Sequence, residues 1–302
     1  MKIYSLQKQK LNEIKENPFK LEREIQNLFE NNLDELMGLT FVKSEFSIKN
    51  KRIDTLAFDK QTNAFVIIEV KRDKNLSVVD QGFTYLSLML ENKADFIVEY
   101  NECLKGKLTR DDVDWTQSRV AFISTAFTEN QIQATNFKDI AIELWEVKQY
   151  ANDLIVVLPI KKTNSAASIK PVMQKNQALK KVSEEIKVYT EDDHLIGADE
   201  NIIELYEKFK SSVFNLADDI EVQPQKYYIA FKKNKNLFDV EILKKSLKIA
   251  VNTKFGSLND PKQIARDVRN VGHRGNGDYQ IQIDSDADLE YIMSLLKQVL
   301  LK

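Results

Sequence analysis

Residues 65–89 read FVIIEVKRDKNLSVVDQGFTYLSLM. The opening run from Phe65 to Val70 is rich in the β-branched and aromatic residues that suit a buried strand, yet Glu69 and Lys71 stand two positions apart at its end. Side chains at i and i+2 of a strand leave the same face. Glu69 and Lys71 therefore share one side of a sheet, and Ile68 and Val70 take the other. Burying either charge alone is costly, so the pair needs each other, or a metal and a solvent-filled cleft. The following run, LSVVDQGFTYLSLMLENK, takes up a period of about 3.6 residues and predicts a helix.

A third ionisable group precedes the pair. The run RIDTLAFD carries Asp54 between apolar neighbours, one short connection before the Glu69 strand. Two carboxylates and a lysine on adjacent strands make an oxygen-rich site of the kind Mg²⁺ prefers, with ligands at ~2.0–2.1 Å and several retained waters. Mn²⁺ is the expected substitute. Such a metal acidifies a water and neutralises a phosphate, while the ammonium helps place the attacking water and stabilises the transition state.

Asp54 followed by Glu69-x-Lys71 resembles the PD-(D/E)XK nuclease superfamily. Gln81 and Tyr85, i and i+4 on the next helix, resemble the Gln-xxx-Tyr motif of its RecB-like branch, and the arrangement is similar to that of Holliday-junction resolvases. The likeness spans roughly residues 19–100, with Ile53 where the motif has Pro. It implies a restriction-endonuclease-like fold, Mg²⁺-dependent hydrolysis of phosphodiester bonds in DNA, catalytic roles for Asp54, Glu69, Lys71, Gln81 and Tyr85, and a homodimer as one arrangement. It also implies an acidic residue on the helix before the strands. Glu24 is the choice as a metal ligand, with Glu22 second.

The 302 residues suit two domains. Residues 161–182, KKTNSAASIKPVMQKNQALKKV, lose hydrophobic periodicity and read as a linker. It separates a domain at 1–160 from one at 183–302. Upstream, PFKLEREIQNLFENNLDELM carries a helical apolar stripe, and LTFVKSEFSI, KRIDTLAFD and AFVIIEVKR suggest an antiparallel meander. Mixed strands and helices follow, so the fold class is α/β, a mixed sheet flanked by helices. Downstream, KYYIAFKK, LFDVEIL, SLKIAVNT and DYQIQI lie between two helical runs, a small α+β domain. This half resembles a small uncharacterised domain that accompanies nuclease-like domains, some loosely labelled transport-related.

With 44 basic and 46 acidic side chains the net charge is −2, so no global positive field draws the chain onto nucleic acid. A local basic cleft remains open to it. No apolar run long enough to span a bilayer exists, and the N-terminus lacks the apolar core of a secretory signal, which reads as a cytoplasmic protein. Cys103, the one cysteine, reads as a small, partly buried core residue. The turn GHRGNGDY, residues 272–279, reads as a tight glycine loop in preference to an anion site. Against the nuclease stands a binding module that keeps the fold without catalysis. The intact acidic set argues against it, because two carboxylates repel phosphate when no metal lies between them.

Overall fold

The computed structural model describes residues 2–71, 77–163, 165–169, 171, 180, 182, 184–217, 219–233, 235–272 and 275–300. They form two compact units, Met1–Val188 and Tyr189–Lys302.

Unit 1 opens with a hairpin, β1 (Ile3–Gln7) and β2 (Lys10–Ile14), that the sequence reading missed. Helix α1 (Glu22–Met37) follows and ends at Gly38, whose φ of 66° is the left-handed cap glycine adopts readily. The meander is β3 (Thr40–Ile48), β4 (Lys51–Asp59) and β5 (Ala64–Lys71), paired antiparallel in that order. Helices α2 (Val78–Glu91) and α3 (Lys93–Leu104) then carry the chain to β6 (Arg119–Ser124), which lies parallel to β5. Helix α4 (Glu129–Thr135) leads to β7 (Ile142–Tyr150), parallel to β6, and β8 (Leu154–Pro159) closes the mixed six-stranded sheet antiparallel to β7.

Alternation along the strands divides the core. Phe65, Ile67, Phe122 and Leu144 pack with Phe83 and Leu86 of α2 and Phe96 of α3. Val66, Ile68, Ala121 and Ile123 pack with Ile25, Phe29 and Leu33 of α1 on the opposite face. Each valine, leucine, isoleucine or phenylalanine among them contributes about 1.5–3 kcal/mol when fully buried. Among the described residues of 161–182, Ile169 and Val182 are buried in the α2–α3 face of unit 1. Apolar side chains are thus interspersed in a segment whose polar composition reads as a linker, and the division between units falls after Val188.

Unit 2 has helices α5 (Glu191–Leu195), α6 (Glu200–Phe214) and α7 (Leu289–Leu300). Its sheet contains β9 (Glu221–Pro224), β10 (Ile229–Lys232), β11 (Asn236–Ile242), β12 (Leu247–Val251), β13 (Arg266–Asp267) and β14 (Tyr279–Ile283), antiparallel throughout. Phe209 of α6 meets Phe231 and Phe238 edge-on at its centre. The α/β sheet flanked by helices, followed by a small α+β unit, is the expected fold class. Among the described residues no helix is long and apolar enough to cross a membrane. Cys103 is exposed rather than partly buried, in the last turn of α3.

Candidate active site

The β4–β5 register pairs Thr55 with Ile68, so its next step sets Asp54 opposite Glu69. Like charges placed so are destabilising, and the ladder changes there: Asp54 Oδ2, rather than a backbone carbonyl, accepts the Val70 N–H at 2.9 Å. Glu69 is only 4% exposed. Its Oε1 accepts from Lys71 Nζ at 2.8 Å and from Gln81 Nε2 at 3.1 Å. Its Oε2 is buried and has no hydrogen-bond partner among the described residues.

Helix α2 reaches this cluster because Ser77 caps it, accepting the Asp80 N–H, and because Gly82 lets it lie close to the sheet. A Cβ at Gly82 would stand 2.5 Å from Ile142 Cδ1. Gln81 and Tyr85 consequently face Glu69 together, and Gln81 Nε2 also donates to the Tyr85 hydroxyl at 3.2 Å. That hydroxyl donates in turn to the Arg52 carbonyl at 3.5 Å. Burial, then the Glu69 charge, pushes the Tyr85 phenol above its usual range, so it stays protonated.

Burial and the Glu69 charge also push Asp54 from 3.8 up to about 6, against the Val70 N–H and the Lys71 charge, which pull it down. At Asp54 burial, with the Glu69 charge second, thus outweighs the Val70 N–H and Lys71.

Of the six residues read from the sequence, the structure brings together Asp54, Glu69, Lys71, Gln81 and Tyr85. Glu24 does not join them. Its Oε2 accepts the backbone N–H groups of Lys20 and Leu21 at 2.8 and 3.3 Å, which makes it part of the α1 N-terminal cap, where a carboxylate meets otherwise unbonded N–H groups. Helix α1 touches the Asp54 strand through Gln26 instead, whose Nε2 donates to the Asp54 carbonyl at 2.7 Å and to Glu30 Oε1 at 2.9 Å. Glu30 also accepts from Thr55 at 2.7 Å. A buried glutamine carries no signal in a single sequence, so this support behind Asp54 was not legible.

Metal capacity follows from the donor set. Among the described residues no group of three or more His, Cys, Asp or Glu could hold a metal ion. The two carboxylates Asp54 and Glu69 remain, and they fit a cation such as Mg²⁺, which keeps most of its water and takes one or two carboxylates.

In unit 2 the turn before β14 is pinned by Asp239, only 1% exposed. Its carboxylate accepts from the Asn276 N–H at 2.7 Å, Asn276 Nδ2 at 3.0 Å and Asn236 Nδ2 at 2.7 Å. Gly277 has φ of +89°, and a Cβ there would stand 2.1 Å from the Val251 carbonyl oxygen. Gly277 is therefore set by backbone approach, whereas a Cβ at Gly275 would meet the Ala250 side chain. His273 and Arg274, the cationic pair of that turn, lie outside the described residues.

Residues 191–299 match the model of a domain of unknown function, DUF5655. Parts of the chain overlay a repair endonuclease from Pyrococcus abyssi (TM-score 0.27, 23% identity, 39% of this chain and 44% of that one). They also overlay EndoMS in a complex with double-stranded DNA (TM-score 0.26, 18% identity, 37% and 40%). A third overlay is with Pyrococcus furiosus SfsA in complex with Ca²⁺ (TM-score 0.25, 14% identity, 45% and 63%). The chain spans less than half the length of the first two structures. An uncharacterized protein of Haemophilus influenzae is 56% identical over 300 residues, covering 99% of both chains. That likeness runs through both units, and the chain belongs to the same protein family as the Haemophilus influenzae protein.

Proposed function

We propose that unit 1 is a divalent-metal-dependent nuclease that hydrolyses phosphodiester bonds in DNA, with Asp54 and Glu69 as metal ligands. The observation that carries this reading is Glu69 Oε2, buried with no hydrogen-bond partner among the described residues beside a second carboxylate whose proton affinity is raised. A buried acceptor left unbonded calls for an ion or a water, and a divalent cation relieves the carboxylate repulsion as well.

The bound cation would supply charge neutralisation at the phosphate and an acidified water. Lys71, held against Glu69, adds positive charge toward the negative charge that grows on phosphorus-bound oxygen in the transition state. Gln81 fixes the Glu69 carboxylate from the helix side, and Tyr85 fixes Gln81. DNA is the substrate that the order Asp54, Glu69-x-Lys71, Gln81-xxx-Tyr85 implies by its resemblance to the nuclease superfamily.

The test is cleavage of single-stranded, duplex and branched DNA, and of RNA, by the full chain with Mg²⁺ or Mn²⁺. Cleavage that requires the cation and disappears in Glu69→Gln and Lys71→Ala, with folding retained, is the expected result. Intact substrates in every case would leave the fold as a non-catalytic module. RNA cleavage without DNA cleavage would correct the substrate.

A further inference from the structure

The strand pair that presents Asp54 has an irregularity that the acidic pair does not require. Ser44 pairs with Thr55 and Phe46 with Ile53, which brackets Glu45 opposite Asp54. Ser44 and Thr55 bond to Gln26 and Glu30 of α1, whereas Phe46 and Ile53 pack into the core on the α2–α3 side. Residues two apart in a regular strand share a face, so both strands change face at this step. Glu45 makes the change on β3 with φ of 54°, a left-handed conformation uncommon for a residue with a side chain and often found at functional sites.

The Glu45 carboxylate is occupied by two arginines. Oε1 accepts from Arg23 Nη1 at 2.9 Å, and Oε2 accepts from Arg52 Nε at 2.7 Å. One carboxylate between two guanidiniums leaves a net charge of one positive. Each arginine is held through a single nitrogen of a fork that carries five N–H donors, and their side chains are 53% and 68% exposed. Arg52 lies two residues before Asp54 and continues an exposed basic turn with Lys49 and Lys51. The chain has a net charge of −2, so a positive patch must be built locally, and here it is built around Glu45, which the β3–β4 register sets opposite Asp54.

We propose that Arg23 and Arg52, splayed on Glu45, form a clamp for the phosphodiester backbone of the nucleic acid beside the Asp54–Glu69 site. This rests on the nuclease reading of that site. Guanidinium forks match phosphate oxygens bidentately, and anchoring both on one carboxylate limits the rotamer freedom lost on binding. An acidic protein segment would meet the same donors, but a neighbouring pair of carboxylates disfavours it unless a metal is bound, and a metal there serves a phosphate.

The experiment measures fluorescence anisotropy of a labelled DNA duplex with the full chain in the cleavage-blocked Glu69→Gln background, across a salt series with Mg²⁺. The Arg23→Gln/Arg52→Gln pair is expected to weaken binding and to reduce the slope of log K against log salt by about 2, close to one per lost phosphate contact. Arg52→Lys, which keeps the charge and loses the fork, is expected to fall between, and it serves if the double variant folds poorly. Unchanged affinity and slope in these variants would overturn the clamp while leaving cleavage by the wild-type chain intact. Competition by polyglutamate as strong as by unlabelled duplex would also overturn it. A wild-type chain that neither binds nor cuts would remove the nuclease reading itself.

Discussion

Asp54 Oδ2 takes the Val70 N–H at 2.9 Å, so a side chain replaces one rung of the β4–β5 ladder at the point where a second carboxylate stands opposite. The bond holds Asp54 in place while burial and Glu69 push its proton affinity up to about 6. A carboxyl group whose folded value lies above its unfolded value favours folding while protonated, and that contribution is lost as pH rises through the interval from 3.8 to about 6. Asp54→Asn keeps an acceptor for Val70 and removes the charge. At neutral pH, without divalent cation, the variant is expected to be more stable than the parent by about 1–2 kcal/mol after allowance for solvent screening. Denaturant unfolding should show this gain at pH 7.5 and its absence near pH 4. A variant less stable at both would mean that the carboxylate is stabilising.

Divalent cation should reverse that order. Mg²⁺ or Mn²⁺ binding only the folded state stabilises by RT ln(1 + [L]/Kd), about 2.7 kcal/mol at a hundredfold excess over Kd. The parent is expected to gain in thermal stability with added cation, and Asp54→Asn and Glu69→Gln to lose most of that gain. Because the cation competes with the proton on Asp54, its apparent affinity should fall as pH drops below about 6. Calorimetric titration at pH 5 and pH 7.5 checks the sign.

Gly82 sets how near α2 approaches the strands. Alanine at a helix interior gains about 0.8–1.0 kcal/mol of propensity over glycine. Its Cβ would however stand 2.5 Å from Ile142 Cδ1, on a side chain 1% exposed with little room to turn. Overpacking of this kind costs about 1–3 kcal/mol and is expected to win, so Gly82→Ala should lower stability and pull Gln81 off Glu69, with loss of turnover. Adding Ile142→Val, which removes Cδ1, should restore part of both. A double-mutant cycle without coupling would place the effect elsewhere.

These sites differ in how far the sequence exposed them. Asp54, Glu69 and Lys71 were legible because charged residues interrupt runs otherwise suited to a core, and strand periodicity alone assigns Glu69 and Lys71 to one face. Gln81 and Tyr85 were legible from helical spacing next to that strand. Glu24 misled because acidic residues crowd the start of α1, and a cap and a metal ligand look alike in one dimension. Gln26 and Arg23 owe their places to the docking of α1 on β3 and β4, and Glu45 and Arg52 to the face change at one left-handed residue of the β3–β4 pair, and neither leaves a local signal. The β1–β2 hairpin was hidden by its exposure, with Leu6 and Leu11 70% and 66% accessible, so no buried face marked it. The basic run Lys49, Lys51, Arg52 stood in plain sight, but only the fold gathers Arg52 and Arg23 of α1 on one carboxylate, Glu45.

Asp239 offers a test in unit 2 that is independent of nuclease chemistry. Its carboxylate gathers three donors from Asn236 and Asn276, and removing it strands the buried Asn236 amide and the part-buried Asn276 N–H, while Asn276 Nδ2 keeps the Tyr228 hydroxyl. Each unbonded donor costs about 1–3 kcal/mol, and relaxation of the turn recovers part. Asp239→Ala is thus expected to destabilise unit 2 by about 3–5 kcal/mol, and Asp239→Asn, which keeps one acceptor oxygen, by less. Hydrogen exchange on the full chain should localise the loss: amides around Asn276 and Tyr279 exchange faster, while the β5 amides of unit 1 keep their protection. If Asp239→Ala left exchange at Asn276 unchanged, the turn would be held by the close approach of Gly277 to Val251, and the carboxylate would be dispensable to it.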